Sequence, residues 1–153
     1  MVARKLILFL FCINLSFANQ IKIQALNFYS DENTGKSVLS GNVVVNHEND
    51  VLNSGELVIF SDKNRKPIRY EASKQPRFKI TLKGKVYEGS GDKFIYDVAK
   101  DTYEINGNAY INEIQSNKKL YGNRIIVDRK ANIYRIESKD NKPAHFVFDL
   151  DKK

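Results

Sequence analysis

Gly91-Asp92-Lys93-Phe94-Ile95-Tyr96 is the stretch on which the fold turns. The chain writes something close to it twice more, at Gly55-Glu56-Leu57-Val58-Ile59-Phe60 and Gly122-Asn123-Arg124-Ile125-Ile126-Val127. Each copy is a glycine, two mostly polar positions and then three apolar or aromatic ones. Side chains alternate across a β-strand, so the third and fifth positions after each glycine share a face. That face carries Val58 and Phe60, Phe94 and Tyr96, and Ile125 and Val127, and Val98 continues it. Counting from the glycines therefore makes these residues the inward set. Lys93, Arg124 and the isoleucine common to all three copies fall on the opposite face. A leading glycine fits a bulge or a close backbone approach where a rolled sheet bends.

Most of the remaining chain alternates in the same way. Lys22 to Phe28, Ser37 to Asn46 and Thr102 to Ile111 are runs rich in Val, Ile, Tyr and Phe, separated by clusters of Gly, Asn, Asp and Lys. Short strands with turn signals every eight to twelve residues or so describe an all-β antiparallel domain, a sandwich, barrel or jelly roll. No window holds a 3.6-residue period with caps long enough for a helix.

Two longer echoes surround the triplet. Gly41-Asn42-Val43-Val44-Val45-Asn46 recurs as Gly107-Asn108-Ala109-Tyr110-Ile111-Asn112, and Pro76 and Pro143 each lie 21 residues beyond Gly55 and Gly122, followed by Phe78 and Phe146. The spacing predicts a β meander repeated after some 65 residues, with Gly91–Tyr96 lying between the copies. Such units stack because one alone cannot bury its apolar face.

The N-terminus reads as a secretory leader. Arg4 and Lys5 precede an apolar run from Leu6 to Phe17, and Ser16 and Ala18 set small residues at a cleavage position. The run is short of the roughly 20 residues that span a bilayer. Residues 1–18 are the expected leader, 19–150 one β domain and 151–153 a charged tail. Cleavage removes Cys12, the only cysteine, so disulfides and cysteine–metal sites are excluded from the mature chain. Without Arg4 and Lys5 the net charge of +7 becomes +5, which favours an anionic partner.

Catalytic signatures are missing: no metal-binding HExxH, no nucleophile elbow and no nucleotide-binding loop accompany His47, His145 or the scattered acids. The expectation is a non-enzymatic protein with no cofactor and no metal. A nucleic-acid-binding barrel would interleave its cations with its aromatics on one face, whereas Lys93 and Arg124 alternate with Phe94 and Ile125. A carbohydrate-binding sandwich usually presents tryptophan, and the chain has none.

Glu88 to Asp101 followed by Thr102 to Tyr110 resembles the OstA-like domain family of periplasmic lipopolysaccharide transport proteins. The Tyr96-Asp97-Val98-Ala99-Lys100-Asp101 turn and the Gly107-Asn108-Ala109 strand start are the most specific parts. The likeness reaches back through Gly41-Asn42-Val43 and Pro76-Arg77-Phe78, and forward through Ser116-Asn117, Gly122 and Lys142-Pro143. It implies a single β jelly roll, slightly open, in the periplasm, with an apolar interior that accepts the acyl chains of lipopolysaccharide. It also implies head-to-tail stacking through edge strands, between an LptC-type inner-membrane protein and an LptD-type outer-membrane translocon. Family lipid contacts fall on Ile21, Ile23, Phe78 and Val98. The chain departs from the family at Ser61-Asp62, where a basic residue is expected. The alternatives are a structural periplasmic β module and an LptC-type membrane-anchored component of the same pathway.

Overall fold

The computed structural model describes residues 20–150, so the expected leader and the charged tail lie outside it. The described residues form one sheet of twelve antiparallel strands: β1 (Ile21–Gln24), β2 (Asn27–Asp31), β3 (Lys36–His47), β4 (Asp50–Ser61), β5 (Pro67–Ser73), β6 (Arg77–Leu82), β7 (Lys85–Ser90), β8 (Lys93–Asp97), β9 (Thr102–Glu113), β10 (Lys118–Asp128), β11 (Ile133–Glu137) and β12 (His145–Val147). Antiparallel all-β architecture agrees with the alternating pattern.

Four strands, β3, β4, β9 and β10, are long enough to serve two sets of neighbours. One half of β3 pairs with β2 and the other with β1; β4 divides likewise between β5 and β6, β9 between β8 and β7, and β10 between β11 and β12. The sheet thus splits into two arms that share the long strands. The pairings β4–β5–β8–β9–β7–β6–β4 close a ring of six strands at its centre.

The bends lie where the repeated Gly-Asn pairs fall. Gly41 and Asn42 have φ of 81° and 48°, and Gly107 and Asn108 have φ of 74° and 46°. A bulge interrupts the register at both places, between Ser40 and Val43 opposite β4 and between Asn106 and Ala109 opposite β10. Asn tolerates left-handed backbone better than other side-chain-bearing residues, and a bulge sharpens the local twist.

These pairings also reveal the true repeat. Strands β1–β6 and β7–β12 follow one plan, with β3 and β9 each flanked by their own first two strands and β4 and β10 by their last two. Gly91–Tyr96 does not lie between two copies. It belongs to the second copy, where it follows β7, and its counterpart is Ala25–Ser30, since Phe28 sits on Leu39 as Phe94 sits on Ile105. The two copies join through β5–β8 and β6–β7.

Candidate functional site

The pairing registers line up side chains into rungs that cross the whole sheet. In one arm, Phe28, Leu39, Leu57, Ala72, Phe94, Ile105, Ile125 and Ile136 stand opposite one another from β2 to β11. In the other arm, Ile23, Val45, Leu52, Phe78, Gly89, Ile111, Leu120 and Phe146 do the same from β1 to β12. Both rungs are apolar throughout.

They face each other. Ile23, Val45 and Leu52 of one arm pack into the same cluster as Leu39, Leu57 and Ala72 of the other. Phe78, Ile111 and Leu120 likewise meet Ile105 and Ile125. Phe78 and Phe94 join the arms at mid-length, edge to face, with ring centroids 5.0 Å apart, an arrangement worth about 1 kcal/mol beyond area burial. Burial is deepest along the bend, where Val43 and Ala109 are 1% and 2% exposed. It fades at the sheet's two edges, where the same rungs end on Phe28 and Phe146, 68% and 59% exposed.

Of the ten residues expected on the inner face, the structure brings eight together. Phe94 and Ile125 stand in one apolar rung, Phe78 and Ile23 in the other. Tyr96 and Val127 lie one rung outward, and Ile21 lies one step beyond Ile23 with half its surface exposed. Val98 lies further out, its amide donating to the carbonyl of Ile68 at 3.0 Å.

Val58 and Phe60 are a correction. They point to the other face, where Val58 stands between Val38 and Glu71, and Phe60 between Lys36 and Arg69. Their neighbours Leu57 and Ile59 belong to the inner cluster instead. The reason is where the glycine falls relative to the bend. Val43 pairs with Ser54 as Ala109 pairs with Gly122, and Ser40 pairs with Glu56 as Asn106 pairs with Arg124. Ser54, not Gly55, is therefore the counterpart of Gly122, and counting from the glycines is one residue out in β4. Matching the two Gly-Asn pairs and reading across to their partners would have found Leu57 and Ile59.

Going outward from the bend, the first arm changes character rung by rung. After the apolar rung comes one with Tyr70, Tyr96, Tyr103 and Tyr134. Tyr70 and Tyr96 stack at 6.2 Å, Tyr96 and Tyr103 at 4.3 Å. Burial pushes the Tyr96 phenol up to about 12 and raises Tyr70 as well. Beyond them, at the lip, Ile68, Val98, Asp101 and Arg129 follow: the Arg129 amide donates to the Asp101 carbonyl at 3.2 Å, and the Tyr96 hydroxyl donates to Asp101 Oδ1 at 3.2 Å. The second arm turns polar sooner, with His47, Asp50, Glu113 and Lys118 in its outer rung.

The outer face is held by charge. Arg124 bridges Glu104 at 2.6 Å and Glu137 at 3.2 Å, and Glu71 takes both Arg69 at 2.7 Å and Lys93 at 3.6 Å. A hollow of about 490 Å³ opens at the central ring, walled by Phe78 and Tyr110 together with Arg77, Glu88, Asp92 and Asn108. A second hollow, of about 370 Å³, lies against β12 between Leu120, Phe146 and Phe148.

A two-armed antiparallel sheet with facing apolar rungs and exposed apolar edges defines the class: an all-β protein whose two apolar faces pack against each other. Residues 22–133 match the family model described as LptA/(LptD N-terminal domain) LPS transport protein, and the chain belongs to that family. It is thus an OstA-like lipopolysaccharide transport protein, as its stretch from Glu88 to Tyr110 suggested. No curated protein sequence matches it. Its fold is similar to that of LptH, the LptA homologous periplasmic component of the conserved lipopolysaccharide transport device from Pseudomonas aeruginosa. That match has a TM-score of 0.73 at 17% identity, covering 86% of this chain and 96% of LptH.

Proposed function

We propose that the chain is a periplasmic carrier that shelters the acyl chains of lipopolysaccharide between its two arms, as one unit of a protein bridge from the inner to the outer membrane. The observation that carries this is the pair of unbroken apolar rungs, which run from edge to edge across the strands and not along them. An acyl chain in water costs about 0.8 kcal/mol per methylene, so a twelve-carbon chain costs on the order of 10 kcal/mol. A lipid with several chains crosses an aqueous space only if something covers them. The lipid-contacting residues are then Ile21, Ile23, Phe78, Phe94, Tyr96, Val98, Ile125 and Val127, joined by Leu57 and Ile59. No bond is made or broken, and no cofactor is needed.

The bridge follows from the repeat. Inside the chain, β5 and β6 of the first copy pair with β8 and β7 of the second. Strands β11 and β12 are the counterparts of β5 and β6, and β2 and β1 those of β8 and β7. Among the described residues each of these four pairs with a single neighbour. A second molecule placed head to tail would repeat the internal junction by β-augmentation, with Phe146 meeting the next copy's Phe28 as Phe78 meets Phe94. The folded sheet has two unsatisfied ends, and these ends are where LptC-type and LptD-type partners would add their own strands.

The experiment is displacement of a fluorescent acyl probe from the mature protein by purified lipopolysaccharide. Displacement that is saturable, and lost in Phe94→Asp while the protein stays folded, is the expected result. A folded wild-type protein that takes up no probe would instead favour a structural β module.

A further inference from the structure

The rungs of the first arm form a polarity gradient. Aliphatic side chains line the bend, tyrosines follow, and at the lip the charged pair Asp101 and Arg129 joins Ile68 and Val98. Water–lipid boundaries are ordered in the same way, because a phenol has an apolar body and a polar tip. A glycolipid whose chains fill the space between the arms would therefore carry its headgroup past Tyr96 and Tyr103 to Asp101 and Arg129.

Arg129 is suited to what it would meet there. Its guanidinium lies 5.9 Å from the centre of the Tyr103 ring, which fixes its position. Its contacts are long: Nη1 donates to the Tyr103 hydroxyl at 3.5 Å, and Nε stands 3.8 Å from Asp101 Oδ2. Arg124 on the outer face differs, closing on two carboxylates at 2.6 and 3.2 Å. Asp101 is also drawn off by the Tyr96 hydroxyl. Arg129 is thus oriented but under-used, with its side chain 46% exposed. A planar fork with unspent donors is the group that grips a phosphate by two oxygens at once. The neighbouring Lys130 ammonium is tied to the Ala99 carbonyl at 2.6 Å and adds positive charge beside it.

Resting on the carrier function above, we infer that Arg129, steadied by Tyr103, is the site where a phosphomonoester on the lipid's sugar headgroup is held at the lip while the chains lie against Phe94 and Tyr96. Arg129 acts on which glycolipid is chosen, and the apolar rungs on whether any is bound.

The test compares two synthetic acylated disaccharides of equal chain number, one phosphorylated and one not, in equilibrium titrations with the full mature protein. Wild type is expected to bind the phosphorylated lipid about tenfold more tightly, the scale of one charge-assisted contact. Arg129→Gln should abolish that preference without changing affinity for the phosphate-free lipid, and Arg129→Lys should restore part of it. Inorganic phosphate alone should compete only at far higher concentration. A preference that survives in Arg129→Gln, equal binding of both lipids by wild type, or phosphate competing as strongly as the lipid would each overturn the headgroup site. Failure of wild type to bind either lipid would instead count against the carrier function. Phe94→Asp, which should lose both lipids, separates the two outcomes.

Discussion

Tyr96 joins structure and environment in one side chain. Its ring stacks between Tyr70 and Tyr103 and its hydroxyl reaches Asp101. Burial, with the nearby Asp101 charge, favours the neutral phenol and raises its pKa from 10.0 to about 12. A folded-state pKa above the unfolded one gives stability that is complete below the unfolded value and lost as pH climbs through the folded one. The protein should therefore weaken between pH 10 and 12, and Tyr96→Phe should flatten that loss; thermal melts across the range measure it. Glu104 shows the opposite sign. The hydrogen bond from Arg124 lowers its pKa below 4.5, so its contribution is present above that value and lost as pH falls beneath it. Because the Arg124 side chain is more than a third exposed, Arg124→Ala should cost no more than about 1 kcal/mol, read from denaturant midpoints at neutral pH. Gly89 is constrained by contact. A Cβ there would stand 2.5 Å from Cζ of Phe78 and 2.7 Å from the Tyr110 carbonyl oxygen. Gly89→Ala should destabilise by about 1–3 kcal/mol, through displacement of the Phe78 ring.

At the scale of the strand, β4 decides how the inner face is composed. Leu57 is 2% exposed within the apolar cluster, so Leu57→Ala should cost about 2–5 kcal/mol in a chemical denaturation curve, and Phe60→Ala on the outer face distinctly less. The sequence made the strands themselves plain, because alternation survives in almost every one. It also pointed to the faces of β8 and β10 correctly, since Phe94 and Ile125 are inward and Lys93 outward. It misled in β4, because both copies carry the same bulge but Gly55 stands one residue later against it than Gly122 does, with Ser54 in the matching place. The signal lay across the sheet, in Gly41-Asn42 and Gly107-Asn108, whose left-handed backbone sets both bends. The tyrosine rung was invisible for a related reason: Tyr70, Tyr96, Tyr103 and Tyr134 come from four strands, and only pairing registers bring them side by side.

For the molecule as a whole, the duplicated plan leaves its consequences at the two ends. Phe94 and Phe78 are sheltered because the copies meet over them, whereas their counterparts Phe28 and Phe146 stand exposed. Unpaired edges bearing such residues would be a hazard in a protein that stays alone. Phe28→Asp or Phe146→Asp should hold the protein monomeric at concentrations where wild type self-associates, with little change in melting temperature, as sedimentation can measure. Whether lipid lies against the inner face is tested most sharply at neighbouring positions in β4. A photoreactive amino acid placed at Leu57, and separately at Val58, should crosslink added lipopolysaccharide from Leu57 alone, with unlabelled lipid competing. Equal crosslinking from both positions, or from Val58 only, in folded protein would contradict the account.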